Sequence, residues 1–469
     1  MIAVLMAIWS IVFVAALRHY PGSGGIYALF SIVFLILLGS AFVRQSTYGY
    51  LFLVLFLWLG FWLKISVHQI FTYPFGEPVG RFDGSPAEWD NVLLVATSGC
   101  VGVLMARIVY GWLSLRSTLL GRPPVAPPWY PQIRRVLWVA LAIVVVGSAA
   151  LNIVYGIQQS GLVPRTIVLW PLNAGIFWML TTGFAMCVLT LLWWQLALRN
   201  SVLPSAFMLL VEAAVSTTSL LSRGVFIFQA VPTLLALYVN RRRATDLSPL
   251  RVAVYVATFV ALTFVAVSTA NTLRNYYYVG PGAVVATTPA IPFADKVRDQ
   301  IMFSIDRWIG AEGVMAISSY DGKGADLFLK AFDEKPAIGK STFYQEVSNS
   351  HYDLVDANKF TFATLPGAIA FFYYTGSLYF VALGMIVFTF LVLSSEQLVS
   401  VMTGNPFLSS FWGCAAADVV AQFGLAPRNG GPYLIMCAVA FLVIWIVQSG
   451  RFALLLRRIG LGREASLMP

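Results

Sequence analysis

This 469-residue chain has few charged residues and only four cysteines. Only 11% of the residues are charged and 59% are hydrophobic, whereas soluble domains carry about a quarter charged residues. So few charges could not cover a soluble surface, which excludes an ordinary soluble domain. The four cysteines lie in apolar segments without a CxxC motif, so the sequence supports neither a disulfide framework nor a zinc site.

Apolar runs of roughly 20 residues recur along the chain, and this length spans a bilayer as a helix. The sequence therefore predicts an all-α polytopic integral membrane protein with about twelve transmembrane helices. Because the chain is apolar from Met1 without a basic flank, the first helix is expected to be a retained span. The predicted spans lie near 1–17, 25–43, 48–70, 91–114, 136–156, 168–198, 203–222, 224–240, 250–271, 366–394, 398–424 and 431–450.

The orientation follows from the basic residues, which give a net charge of +10. Lys and Arg accumulate on the cytoplasmic loops of membrane proteins, so this charge does not indicate nucleic acid. The stretch RRRATD at 241–246 is the strongest cytoplasmic anchor. It predicts that both termini are cytoplasmic and that Arg223, one helix earlier, lies on the external face.

This topology divides the chain into a first set of nine spans (1–271), a long external loop (272–365) and three further spans with a cytoplasmic tail (366–469). Loops of this length are uncommon and usually functional. Apolar residues at helical spacing predict an amphipathic helix over 293–310. A second short helix is expected over 324–334, and 280–292 is expected to be an extended linker.

Arg223 stands in the stretch TTSLLSRGVFIF, residues 217–228, between two apolar runs. A charge at membrane depth is costly and usually faces a cavity or a ligand. Guanidinium binds phosphate through two hydrogen bonds, and Gly224 permits a tight turn or a close approach of the ligand. The pattern favours an anion-binding arginine, and the alternative is a side chain that extends to the interface.

The long loop adds a second group of candidate binding residues around Arg307. Beside it, Trp308 could stack on a sugar ring, and Glu312 could orient Arg307 or bind a sugar hydroxyl. The alternative is an exposed Arg307 paired with Asp306 or Glu312. Two further cations of this segment are Arg274 and Arg298.

His351, in NSHYDLVDANKF near the end of the long loop, is the candidate general base because histidine titrates near neutral pH. Asp353 and Asp356 are alternative bases, and an exposed loop histidine without a role is the other interpretation. His68, one turn after Lys64 in the third predicted span, is interpreted as structural.

Carboxylates occur both inside the predicted spans and in the acidic loop before the fourth span. Glu212 and Asp418 are expected to be buried, paired with a polar neighbour or protonated, and intramembrane carboxylates can also indicate proton coupling in a transporter. Asp83 and Asp90 could hold a metal, but a solvated loop is the better interpretation. We therefore expect no metal and no cofactor.

The SRG turn, the long arginine-containing external loop and the stretch TLPGAIAFFYYTGSLYF at 364–380 resemble the Wzy-type polysaccharide polymerases and the related O-antigen ligases. The resemblance covers roughly 203–395. It implies a glycosyltransferase of the bacterial inner membrane that needs no metal. Such an enzyme would transfer glycan from an undecaprenyl diphosphate carrier to the next lipid-linked repeat unit, with inversion at the anomeric carbon. A chain-length regulator protein would be a further partner.

The resemblance also implies residue roles. Arg223 corresponds to a diphosphate-binding arginine, and the second arginine of the family corresponds to Arg307, or otherwise to Arg298 or Arg274. His351 occupies the place of the base proposed for the ligases. The chain departs from the family where a second arginine-rich external loop is usual, because the segment 156–167 is short and has Arg165 as its only cation.

Three other functions remain open on the sequence. A ligase that moves glycan to lipid A or protein would share this machinery. A metal-dependent membrane glycosyltransferase would depend on Asp83 or Asp90. A flippase or other transporter of lipid-linked oligosaccharides would not be an enzyme, and Glu212 and Asp418 would be its coupling groups.

Overall fold

The computed structural model describes most of the chain. The described residues are 2–43, 46–113, 119, 122–198, 203–240, 249–279, 305–335, 340–350, 356, 359–361, 364–424, 427 and 430–449. This part of the chain is helical and contains no β-strand. The helices are α1 Ile2–His19, α2 Gly24–Ser40, α3 Tyr48–Phe71, α4 Pro86–Trp112, α5 Tyr130–Tyr155, α6 Leu172–Ala197, α7 Leu203–Leu220, α8 Arg223–Val239, α9 Pro249–Val279, α10 Ala311–Ser318, α11 Ala325–Phe332, α12 Phe343–Ser348, α13 Ala368–Tyr373, α14 Leu378–Thr403, α15 Pro406–Ala421 and α16 Gly430–Gln448.

Seven helices of the described chain are long and apolar enough to cross a membrane. A helix lies at every span predicted before residue 271, because apolar runs of this length bury their backbone polar groups only as helices. The seven spanning-length segments are Tyr48–Phe71, Pro86–Trp112, Tyr130–Tyr155, Leu172–Ala197, Ala253–Arg274, Leu378–Thr403 and Gly430–Gln448.

Of the three spans predicted after residue 366, the last, 431–450, is present as α16 Gly430–Gln448, whereas the boundaries of the first two were wrong. The span predicted over 366–394 is broken at Gly376, whose φ of +75° suits glycine. The next break falls at Gly404, with φ +64°, instead of between 394 and 398. There the Asn405 side chain accepts hydrogen bonds from the backbone N–H groups of Phe407 and Leu408 and caps α15.

The chain packs as two compact units. The first contains the described residues of Met1–Ser117, Val285–Ser394 and Ala415–Gly430, and the second contains those of Thr118–Val284, Ser395–Cys414 and Gly431–Pro469. The segment predicted as one external loop, 272–365, is therefore divided between the two units. Its first residues continue α9 in the second unit, whereas its described part from residue 305 onward packs in the first.

In the first unit, α4 packs against α2, α10 and α13. A Cβ at Gly102 would lie 2.3 Å from the carbonyl oxygen of Ala382, and one at Gly99 would lie 2.6 Å from Ile369. A side chain would therefore not fit at Gly102, whereas at Gly99 the Ile369 side chain would have to shift. All eight residues of α10 are buried, although its eight-residue sequence is too short to mark it as a core helix.

In the second unit, α7 is the central helix and packs against α5, α6, α8 and α9. Its apolar core includes Val145 and Ala149 of α5, Leu180 and Phe184 of α6, and Leu220 at the end of α7.

The predicted segments of the long loop have different outcomes. The linker 280–292 and most of the predicted amphipathic helix 293–310 lie outside the described residues. Ile305 and Asp306 are helical and the chain turns at Arg307, so the helix ends earlier than predicted. The short helix predicted over 324–334 is confirmed as α11.

Candidate functional site

The segment that follows Ile305 packs directly onto α3 through two glycines. A Cβ at Gly60 would lie 2.2 Å from the carbonyl oxygen of Ile309, and a Cβ at Gly310 would lie 2.7 Å from the carbonyl oxygen of Gly60. The contact occurs in a π-helical turn of α3, Trp58–Leu63, and π turns are frequent at functional sites. It places the charged residues of the segment beside the last two turns of α3.

Lys64 is the first of two basic residues on that part of α3, and it is fully buried. Its Nζ donates a hydrogen bond to Oε1 of Glu312 at 2.6 Å and another to the backbone carbonyl of Asp306 at 2.9 Å. The side chain of Glu312 is 4% exposed. Burial raises the pKa of Glu312, and the Lys64 ammonium opposes that shift. The two charges compensate each other inside the unit.

His68, one turn later, is buried between two acceptors. Its Nε2 lies 2.7 Å from Oδ1 of Asp306, and its Nδ1 lies 2.8 Å from the carbonyl oxygen of Tyr73. The ring stacks on Phe75 with centroids 4.0 Å apart. A carbonyl only accepts, so the contact with Tyr73 requires a hydrogen on Nδ1. The His68–Asp306 pair joins the end of α3 to the segment after Ile305, with the His68 side chain 1% and the Asp306 side chain 13% exposed.

The predicted site residues of the loop lie next to this cluster. Arg307 is exposed, and its two neighbouring carboxylates bond other groups, since Asp306 bonds His68 and Glu312 bonds Lys64. Trp308 stacks on Phe56 with ring centroids 5.7 Å apart. These contacts anchor Arg307 on both sides. The sugar-binding roles of Trp308 and Glu312 stay predictions.

In the second unit, Arg223 is the first residue of α8, and its side chain lies outside the described part. The turn before it is short: Leu221 adopts a left-handed φ of +53° and Ser222 is extended. Gly224 follows, and a Cβ there would meet the Phe228 ring at 3.2 Å, with no other described residue within 4 Å. The predicted tight turn at SRG is therefore present.

Hydrogen bonds from the end of α5 and from the segment after it hold this turn. The buried side chain of Asn152 donates to the carbonyl oxygen and to the hydroxyl of Ser219, at 3.0 and 2.9 Å. The Ser160 N–H donates to the carbonyl oxygen of Leu220 at 2.8 Å. The last carbonyls of α7 are thereby satisfied, and the position of the first turn of α8 is defined.

The same end of the second unit contains further arginines. The Arg165 guanidinium lies 4.8 Å from the centre of the Tyr277 ring in α9 and donates to the carbonyl oxygen of Ile153 at 2.8 Å. Arg274 precedes Tyr277 by one turn and is half-buried. The structure thus brings Arg165, Arg223 and Arg274 to one end of this unit. Arg298 and His351 lie outside the described residues.

The carboxylates of the acidic loop form hydrogen bonds with neighbouring protein groups. Asp90 accepts hydrogen bonds from the Tyr20 hydroxyl and the Ser23 N–H, both at 2.9 Å, and burial, with this bond, raises the pKa of Tyr20. Hydrogen bonds from Ser85 lower the pKa of Asp83. Within the described ranges no group of three His, Cys, Asp or Glu residues could hold a metal ion.

The Lys64–Glu312 and His68–Asp306 pairs were not predicted from the sequence. A signal was present, because Lys64 and His68 are two basic residues four positions apart in an apolar span, on one face of a helix. Their acidic partners could not be identified, since they lie 238 and 248 residues further along the chain.

Seven apolar helices of spanning length in a helical chain are the features of an all-α polytopic membrane protein. Comparisons with protein-family models, with curated proteins and with solved structures return no match to this chain.

Proposed function

We propose that this chain is a Wzy-type polysaccharide polymerase that joins undecaprenyl-diphosphate-linked oligosaccharide repeat units. In this proposal it spans the bacterial inner membrane with about twelve helices, both termini are cytoplasmic, and the reaction takes place at the periplasmic face. A chain-length regulator protein is a proposed partner. The reaction needs no metal and no cofactor.

The observation that carries the proposal is the position of Arg223 in the first turn of α8. The first N–H groups of a helix have no partner within it, and the N-terminal end of its dipole is positive. Both features favour a phosphate, as does the guanidinium of an arginine. Arg274 and Arg165 lie at the same end of the unit, so a diphosphate group there would meet several positive charges.

The proposed chemistry uses these charges to stabilise the leaving group. The hydroxyl oxygen of the acceptor sugar forms a bond to the anomeric carbon, and the bond from that carbon to the diphosphate oxygen breaks. Negative charge grows on the diphosphate, where preorganised arginines stabilise it. His351 is the proposed base that takes the hydroxyl proton. Arg298 and Arg307 are proposed to bind the sugar or phosphate groups, with Trp308 and Glu312.

The test is the length distribution of glycan in cells that carry Arg223→Ala, resolved on a gel. Arg223→Lys, Arg307→Ala and His351→Ala are run beside it, each with matched expression and membrane insertion. We expect Arg223→Ala to abolish the ladder, and single lipid-linked repeat units to accumulate on the outer face. Arg223→Lys should recover little, because lysine lacks the two-donor geometry.

The control is Arg251→Ala, which removes an exposed arginine at the opposite end of α9 from Arg274. It should leave the ladder intact. A normal ladder in Arg223→Ala would overturn the proposal. If polymer is made but is not transferred to its final acceptor, the protein is a ligase. If the repeat units stay on the inner face of the membrane, it is a flippase. If chelation of divalent cations abolishes the product, it is the metal-dependent glycosyltransferase.

A further inference from the structure

Glu212 is a buried carboxyl group in the middle of α7 that the proposed glycosyl transfer does not use. Its exposed fraction is 0%. Oε1 accepts a hydrogen bond from the Ser216 hydroxyl at 2.9 Å, while Oε2 has no hydrogen-bond partner among the described residues. Among the side chains that the structure describes, no cation forms an ion pair with Glu212.

Gln229 of α8 lies next to this carboxyl group, and its side chain also has an oxygen without a described hydrogen-bond donor. The side chain is 1% exposed and neighbours Glu212. Its Nε2 donates to the backbone carbonyl of Thr181 at 3.1 Å, which orients the amide. Its Oε1, an obligate acceptor, has no hydrogen-bond partner in the part of the chain that the structure describes. Two unsatisfied oxygens therefore occur on adjacent buried side chains.

Among the side chains that the structure describes, other titratable groups do not compensate the charge of the Glu212 carboxylate. Among the described titratable groups, Cys187 of α6 lies within electrostatic range of Glu212, and a thiol supplies no positive charge. The segment of α8 that packs here contributes Gln229 and Thr233, both neutral. The charged side chains of α5 and α9, none of which pairs with Glu212 in the described structure, are Arg134, Arg135, Arg251 and Arg274.

We propose that Glu212, Ser216 and Gln229 form a proton-binding site within the helices of the second unit. One proton on Oε2 turns an acceptor into a donor, and that donor satisfies Oε1 of Gln229. It also removes the charge, which is costly to bury without a partner. The ligand is a proton, because one small ligand then satisfies both oxygens.

The site links the two helices that meet at the Arg223 turn. In this proposal the bound proton makes a hydrogen bond between α7 and α8, whereas its loss leaves a charge buried beside the Gln229 side chain. Stability is therefore present while Glu212 is protonated and is lost as pH rises through its titration. The site goes beyond the proposed transferase activity and does not depend on it.

The experiment is infrared spectroscopy of the purified full-length protein in detergent at neutral pH. Wild type minus Glu212→Gln should show the carbonyl stretch of a protonated carboxylic acid, shifted in deuterium oxide. Asp418→Asn, which removes a half-buried carboxyl of α15, should retain the Glu212 band. If Glu212→Gln does not fold, ¹³C-labelling of glutamate in the wild-type protein identifies the same band by its isotope shift.

A second measurement uses the thermal unfolding midpoint. The wild-type midpoint should fall from mildly acidic to alkaline pH, and Glu212→Gln, which imitates the protonated group, should lose part of that dependence. Absence of a glutamic acid band overturns the proposal, since Glu212 is then ionised. A band that disappears when sodium replaces potassium at constant pH also overturns it, because the site then binds a metal cation.

Discussion

The Nζ atom of Lys64 lies 2.6 Å from Oε1 of Glu312, although 248 residues separate them in the chain. The pair joins α3 to α10, and neither side chain is more than 4% exposed. Removing one partner from a buried ion pair leaves a charge without compensation, which costs about 3–5 kcal/mol.

Lys64→Met and Glu312→Gln should therefore each lower the thermal unfolding midpoint of the purified protein strongly. The double variant Lys64→Met with Glu312→Leu should recover much of the loss, because no buried charge remains. A double variant as unstable as both single variants combined would show that the two side chains act independently.

The His68–Asp306 pair should be coupled in a double-mutant cycle. His68→Phe and Asp306→Ala each leave a buried polar group without its partner, at about 1–3 kcal/mol. The double variant should lose less unfolding free energy than the two single variants lose in sum. The measurement is again the unfolding midpoint.

The control for this cycle is Arg81→Ala, which breaks an ion pair in the same unit whose side chains are 62% and 91% exposed. It should change the free energy of unfolding by no more than about 1 kcal/mol, because solvent screens exposed ion pairs. Strict additivity of His68→Phe and Asp306→Ala would contradict a direct hydrogen bond between the two side chains.

Gly60→Ala should disrupt the packing of the Ile305–Ser318 segment on α3. The added Cβ would lie 2.2 Å from a backbone carbonyl oxygen, and the backbone cannot move aside as a flexible side chain can. Gly111→Ala is the matched control, since nothing lies within 4 Å of its Cβ position. That change should be neutral or stabilise α4 by about 0.5–1 kcal/mol. Equal behaviour of the two variants would refute the close contact.

Asn152→Ala should reduce glycan chain length if the Arg223 turn binds diphosphate. The change removes the bonds to Ser219 that hold the turn and leaves every arginine in place. The check is the glycan ladder at matched expression, with Thr258→Ala on α9 as a control that removes one exposed hydrogen bond to its own helix. An unchanged ladder would show that the activity does not depend on the geometry of this turn.

The helices before residue 271 could be predicted because each depends on a local property, a run of apolar residues long enough to span a bilayer. The turn at Leu221–Ser222 could be predicted for the same reason, since a glycine and a charge interrupt two such runs. The break at Gly404 could not, because residues 394–398 are as polar as a loop and yet continue α14, with Glu396 fully buried.

Sequence alone determined the class of the protein, its apolar helices and the arginine that begins α8, since composition and periodicity act over neighbouring residues. Tertiary structure decided which charges are neutralised. Lys64 and His68 meet Glu312 and Asp306 only because Gly60 and Gly310 allow two backbones to touch. Among the described side chains no cation pairs with Glu212, because the helices packed around it place none there. Partners of buried charges are chosen by packing between distant segments, and no local pattern encodes that choice.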